Sequence, residues 1–224
     1  MDYAVSELFK GFERAFDEFN EILLEHNEKY NLTSICGEKD VLYKHFLDSL
    51  YPLHLFGEGA RVVEIGSGGG FPSVPLMITR KDLKFTLVES TGKKCRYLGE
   101  VVDRLGLNCE QILNIRAEDG GKNGALREKF DIATARAVAK LNTLCEYCLP
   151  FVKVGGKFIA YKGDGEEIEE AENAVKILGG KIEEIFAYEL PEGYGKRRAV
   201  VIKKIKTTPA LYPRGRGLER KKPL

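Results

Sequence analysis

From Ser6 to Asn31 the chain reads SELFKGFERAFDEFNEILLEHNEKYN, with Leu8, Phe9, Phe12, Phe16, Phe19, Ile22 and Leu23 recurring at steps of three and four between acids. That spacing predicts one amphipathic helix. After YNLTSI a second apolar pattern, VLYKHFLDSLYPLHLF, predicts more helix as far as Pro52, so residues 1–59 read as a helical unit. From Ala60 the period changes. Short β-branched runs, RVVEI, KFTLVES, EQILNI, FDIATAR, KFIAYK, KIEEIFAYEL and RRAVVIKKI, alternate with helically spaced stretches such as VPLMITR, GKKCRYLGEVVDRLG, AKLNTLCEYCLPF and EEIEEAENAVKILG. Strand alternating with helix predicts an α/β domain over residues 60–206, a mostly parallel sheet covered on both faces. The last two strands are joined by LPEGYGK, too short for a crossover helix, so the final strand is expected to run antiparallel at the end of the sheet.

Composition narrows the class. With 224 residues, 43% of them hydrophobic, the chain affords a core without staples. No apolar run approaches a membrane span and no signal peptide follows the acidic start, which predicts a soluble cytoplasmic protein with no membrane partner. The five cysteines suit reduced thiols; Cys145 and Cys148 form a CxxC, but within an apolar helical stretch and without a second CxxC or clustered histidines, so packing is favoured over a metal or redox role. Charge is polarised: residues 1–59 hold 12 acidic and 5 basic residues, residues 203–224 hold 8 basic and 1 acidic. Residues 207–224, rich in Pro and Gly, are expected to stay extended and attract polyanions, so that their removal weakens RNA binding and spares cofactor affinity.

The candidate chemistry lies in VVEIGSGGGFPSVPL, residues 62–76. A dinucleotide loop reads GxGxxG; here Phe71 stands at the third glycine and the pattern is Gly66, Gly68, Gly70, preceded by the carboxylate Glu64. Pro72 and Pro75 fall in the first turn of the next helix and remove N–H donors that an anion site would need. Glu89 ends the second strand 23 residues after Gly66, where an open sheet places a carboxylate on ribose hydroxyls. An adenosine-type ligand follows, and Glu64 favours the cationic S-adenosylmethionine over NAD.

With these motifs in place the whole chain resembles the bacterial small-subunit ribosomal RNA guanine-N7 methyltransferases, the family also known as glucose-inhibited division protein B. The resemblance rests on YNLTSI at 30–35, HFLDSL at 45–50, the glycine loop, RAED at 116–119, TARAVAKL at 134–141 and the tail TPALYPRGRGLERKKPL. It implies a Rossmann-like class I methyltransferase sheet with an N-terminal helical extension, and S-adenosylmethionine as cofactor. The implied cofactor positions are Gly66 and Phe71, Glu89 with Ser90 and Thr91, Ala117 and Glu118, and Arg136. Ser73 stands where the family pattern usually has glycine, and Glu64 where it commonly has aspartate.

The implied reaction is methylation of guanine N7 in a 16S ribosomal RNA hairpin near the decoding centre. N7 has an in-plane lone pair, so no proton must leave and neither a dedicated general base nor a metal is expected; orientation carries the rate. The partner is then ribosomal RNA or the small ribosomal subunit, with the protein acting as a monomer. The target should be a loop or splayed base. Arg116, Arg136 and Arg197 are candidates for RNA or guanine contact, with His45 and Asp48 as helpers, although these two also suit a role in capping or joining helices. Lys93, Lys94 and Arg96 suit RNA or a solvated helix face equally. Two other readings compete: a nucleotide-binding oxidoreductase and an inactive RNA-binding module.

Overall fold

The computed structural model describes residues 1–165 and 168–224. The first long helix, α1 (Glu13–Tyr30), begins later than its apolar pattern, because two short 3-10 turns, Tyr3–Val5 and Glu7–Phe9, precede it. Two local features break the helix: the Ser6 side chain accepts the Leu8 N–H, and Gly11 sits at φ +84°. Phe9 still reaches the core, edge-on to Phe16 with centroids 5.0 Å apart. A second helical segment follows in four pieces: α2 (Glu38–Val41), a π-helical turn (Leu42–Leu47), α3 (Asp48–Leu50) and a 3-10 stretch (Tyr51–Leu55) containing Pro52.

The α/β part runs β1 (Arg61–Ile65), α4 (Ser73–Thr79), β2 (Lys84–Val88), α5 (Gly92–Leu105), β3 (Cys109–Leu113), α6 (Ala117–Gly120) and β4 (Phe130–Arg136). It continues with α7 (Leu141–Cys148), β5 (Val152–Gly163), α8 (Glu172–Ile177), β6 (Gly180–Leu190), β7 (Gly195–Lys204) and α9 (Leu218–Lys221). Glu166 and Glu167, which open the helical stretch expected before β6, lie outside the described residues. The seven strands are ordered β3-β2-β1-β4-β5-β7-β6. β1 to β5 pair in parallel and β7 is antiparallel to both neighbours.

The last strand is antiparallel as expected, but it inserts between β5 and β6 instead of ending the sheet. Burial explains this. Ala199, Val200, Val201 and Ile202 are buried on both faces, as in an interior strand, whereas β6 exposes Lys181, Glu183, Glu184, Ile185 and Glu189 and suits an edge.

Successive residues of β1 feed opposite layers. Val62 packs with Phe16, Phe19, Ile22, Phe46 and Leu98, so the N-terminal helices share one core with this sheet face. Val63 and Ile65 pack with Leu144, Cys145, Cys148 and Ala174 on the other. Burial pushes both Cys145 and Cys148 thiols up, which fits packing. No helix among the described residues is long and apolar enough to cross a membrane. The strand order reverses between β1 and β4, and a sheet of this kind opens a crevice there, at the carboxyl ends of its strands.

Candidate cofactor cleft and substrate recess

The glycine loop leaves β1 at Ile65 and is tied back to β2, the Gly66 N–H donating to the Val88 carbonyl at 2.8 Å. Two of its glycines are required by crowding as well as by backbone. Gly66 (φ +72°) leaves room for Val138, whose Cγ2 a Cβ would meet at 2.7 Å; Gly70 (φ +88°) does the same for Val74 at 2.6 Å. Pro72 then caps α4, and Pro75 sits inside its first turn, where no helical donor is lost. Glu89 is buried at the end of β2 and accepts the Gly68 N–H at 3.0 Å on Oε2 and the Thr91 N–H at 2.7 Å on Oε1. It clamps the loop to the start of α5, and each oxygen keeps a lone pair for a ligand hydroxyl.

Glu64 is fully buried, and neither of its oxygens has a hydrogen-bond partner among the described residues. Burial pushes its pKa up to about 7, opposed by the nearby Ser73 and Ser67 hydroxyls and the Arg136 charge. Ser73, itself buried with an unpartnered hydroxyl, therefore lies against Glu64. The two departures from the family pattern are neighbours.

A cleft of about 240 Å³ opens over these strand ends, lined by Gly66, Ser90, Ala117, Glu118 and Val138 among others. Gly66, Ser90, Ala117 and Glu118 of the expected cofactor set thus line it; Gly68, Gly70, Phe71 and Thr91 do not, and Glu89 sits between two lining residues, Val88 and Ser90. Arg116, expected on the RNA side, lines this cleft instead, because it precedes α6 at the end of β3. The donor set fits S-adenosylmethionine: Glu89 and Glu118 are carboxylates suited to hydroxyls and a cation, Glu64 lies beneath the loop, and Gly66 provides the close backbone approach.

The far wall of the cleft comes from the C-terminal segment, through Gly217, Glu219 and Arg220. The expectation of an extended tail is corrected here. Arg214 pairs with the buried Glu146 of α7 through Nε and Nη2, at 3.0 and 2.7 Å, and its own N–H donates to Glu146 Oε1 at 2.6 Å. Thr208 receives the Lys204 ammonium at 2.6 Å, and Arg127 donates to the carbonyls of Thr208 and Tyr212. Lys204 and Arg214 are thus bonded inside the fold and Arg220 donates to the Tyr147 hydroxyl, while Lys206, Arg216, Lys221 and Lys222 stay exposed.

A second recess, about 470 Å³, adjoins the first; Val138 lines both. Its wall holds Lys44, His45, Asp48, Arg136, Tyr161 and Arg197. Arg136, expected both at the cofactor and at the RNA, joins this group. Its Nη1 donates to Asp48 Oδ2 at 2.9 Å and to the Lys44 carbonyl at 3.1 Å, a carbonyl in the wide π-helical turn; its Nη2 lies 3.0 Å from His45 Nδ1. Arginine only donates, so His45 Nδ1 accepts and Nε2 carries the proton toward Thr33 Oγ1, 2.7 Å away. Burial, then the Arg136 charge, lower the His45 pKa to about 3, which keeps the ring neutral. That ring stacks on Phe71 of the glycine loop, centroids 4.3 Å apart, and the Arg136 guanidinium lies 5.1 Å from the centroid of the Phe71 ring. Asp48 also accepts from Tyr188 at 2.8 Å and faces Arg197 Nε at 3.8 Å.

His45, Asp48, Arg136 and Arg197 are therefore one cluster, while Lys93 and Arg96 stand exposed on α5. Sequence reasoning missed Thr33, Tyr188 and Val138, as well as Tyr147, Glu219 and Arg220. YNLTSI did signal Thr33: Asn27 and Asn31 turn the chain so that Thr33 meets His45.

The strand order, with one antiparallel strand inserted before the edge, defines the class: this is the fold of class I S-adenosylmethionine-dependent methyltransferases. Among solved structures, M. jannaschii TYW2 in complex with AdoMet superposes with TM-score 0.52 at 18% identity, covering 72% of this chain and 76% of that one. A precorrin-6y C5,15-methyltransferase from Geobacter metallireducens gives 0.50 at 12%, covering 70% and 85%. Residues 13–199 match the family described as GidB, rRNA small subunit methyltransferase G. Curated relatives named ribosomal RNA small subunit methyltransferase G include those of Brevibacillus brevis, 47% identical over 93% of this chain and 90% of the relative, and of Lactobacillus delbrueckii subsp. bulgaricus, 44% identical over 95% and 91%. The chain belongs to the rRNA small subunit methyltransferase G family.

Proposed function

We propose that the chain methylates N7 of a guanine in 16S ribosomal RNA near the decoding centre, by direct transfer with no dedicated general base. The coarser activity, S-adenosylmethionine-dependent methylation of small-subunit ribosomal RNA, goes with the family and displaces the oxidoreductase reading. The adjacency of the two recesses carries the finer reading: Val138 is common to a cleft walled by carboxylates and to a recess rimmed by Lys44, Arg136 and Arg197.

In this reading Gly66, Ser90, Ala117, Glu118 and Glu89 hold the cofactor, and the recess takes a guanine splayed from its helix, since the A-form major groove hides N7. When bound, S-adenosylmethionine supplies a methyl group on a cationic sulfur, whose charge passes to the purine as N7 is methylated. Because no proton leaves N7, His45 is not required as a base; both its nitrogens are already committed, to Arg136 and toward Thr33. His45 is a positioning residue that fixes Phe71 and Arg136. The guanidinium donors of Arg136 and Arg197 left over from Asp48 address guanine O6 or phosphate.

The test is labelled methyl transfer to small-subunit RNA from cells lacking this protein, as naked RNA and as assembled subunits, followed by cleavage mapping of 7-methylguanine. Incorporation at one guanine, lost in Arg136→Ala, is expected. Absence of label from both substrates sinks the enzyme reading and leaves an RNA-binding module; label at another atom sinks the N7 assignment.

A further inference from the structure

A buried carboxylate in the C-terminal segment has an oxygen that nothing in the fold uses. Glu219, in α9, is 1% exposed and lines the cofactor cleft. Its Oε1 accepts the Tyr147 hydroxyl at 2.9 Å, whereas Oε2 is buried with no partner among the described residues. An unpaired buried carboxylate oxygen is costly. The position is nevertheless held firmly: Thr143 Oγ1 donates to the Glu219 carbonyl at 3.0 Å, Arg220 Nε donates to the Tyr147 hydroxyl at 3.1 Å, and Arg214 anchors the approach on Glu146. The chain passes close to Glu118 on the way, a Cβ at Gly215 lying 3.7 Å from Glu118 Cγ. Such anchoring suits an acceptor kept for a ligand donor.

We propose that the C-terminal segment is part of the cofactor site, with Glu219 Oε2 accepting a hydrogen bond from the exocyclic amine of the adenine ring. This rests on the assignment of the cleft to S-adenosylmethionine. Elimination selects the amine among the cofactor's donors. The ribose hydroxyls fall to Glu89 at the end of β2, and the ammonium to the loop above Glu64. The segment therefore acts as a strap across the adenine end of the cleft, and its basic side chains serve docking before they serve RNA.

The experiment measures binding of S-adenosylhomocysteine and of its inosyl analogue, which carries a carbonyl in place of the amine, by calorimetry. The proteins are the full chain, Glu219→Gln, a truncation after Arg216 that keeps the Arg214–Glu146 pair, and Ala117→Phe as a cleft block. Glu219→Gln is expected to weaken the adenosyl ligand about tenfold, as befits one hydrogen bond to a charged group, because the glutamine amide keeps its oxygen on Tyr147 and offers N–H to the ligand. The same variant should bind the inosyl analogue no more weakly than the parent does. The truncation should weaken the adenosyl ligand by a similar factor with an unchanged melting profile; a truncation that melts early leaves the Glu219→Gln ratio to decide. Unchanged adenosyl-to-inosyl preference in Glu219→Gln overturns the inference, including the case where both ligands weaken equally, which marks a structural role. If the full chain binds neither ligand, or Ala117→Phe binds both as well as the full chain does, the cofactor assignment of the cleft fails instead.

Discussion

Replacing Glu64 by glutamine isolates the cost of holding a carboxyl group inside the sheet. The side chain is fully buried with both oxygens unpartnered among the described residues, and burial moves its pKa from 4.5 to about 7. With the folded value above the unfolded one, the native state binds more protons between the two, so this contribution is intact below pH 4.5 and is lost as pH rises toward 7. At about 1.4 kcal/mol per pKa unit the loss is ~3 kcal/mol. His45 has the opposite slope: its pKa falls from 6.5 to about 3, so stability declines as pH drops below 6.5. In the parent protein the two oppose each other between pH 4.5 and 6.5. In Glu64→Gln only the His45 slope remains, and stability should climb with pH there. Urea unfolding of ligand-free parent and variant at pH 4.5, 6 and 8 measures this, the gap in favour of the variant widening by ~3 kcal/mol over the range. A gap independent of pH refutes the reasoning. A cationic ligand above Glu64 favours the carboxylate, so S-adenosylmethionine affinity should rise with pH toward 7 in the parent and stay flat in the variant.

Arg136→Ala leaves the buried Asp48 without its 2.9 Å partner and takes the guanidinium donor from the Lys44 carbonyl, and should cost ~3 kcal/mol in urea unfolding together with most methyl transfer. Arg136→Lys should restore little of either, since one ammonium cannot serve Asp48, Lys44 and His45 together. Lys204→Met removes an ammonium bonded to the carbonyls of Leu149 and Val152 and to Thr208, and should lower stability at pH 7 by ~3 kcal/mol. Burial lowers the Lys204 pKa from 10.5 to about 8, so the parent should gain stability as pH rises from 8 toward 10.5. Thermal melts across that range should show the gain in the parent and none in Lys204→Met.

Much of the sheet was legible because its strands differ in period from its helices, and the sequence also distinguished β6 from β7. RRAVVIKKI holds the apolar run Ala199–Ile202 and KIEEIFAYEL the equally long Ile185–Tyr188, but only the second strand places two adjacent acids, Glu183 and Glu184, within its length, as an exposed edge tolerates. The short connection settled only direction, and using it for position put β7 at the edge. The substrate recess was half legible. HFLDSL places His45 and Asp48 three residues apart, hence on one helix face, but the partner they share, Arg136, arrives from the end of β4, 88 residues after Asp48. Nothing local marks such a pairing. Arg136 and Arg116 are parted for the same reason: each stands at or just beyond a strand end, and the sequence does not say that the tip of β3 borders only the cleft while Arg136 of β4 lines the recess.

In the C-terminal segment charge density is a poor measure of solvation. PRGRGLER carries three arginines and one acid, the profile of an unpaired basic arm, yet the acids that answer it come from elsewhere in the chain. Glu146 lies within LNTLCEYCLPF, where a helix turned apolar side inward seals it to 1% exposure, and its charge there is met by Arg214. Removing either partner leaves the other charge stranded, so the pairing fixes where the strap lies more than it adds to net stability. The same helix supplies Tyr147, which points Glu219 at the cleft. A helix that reads in sequence as apolar filler with a CxxC thus has two jobs: its cysteines fill the layer beneath the sheet, and its Glu146 and Tyr147 hold the segment that closes the cleft.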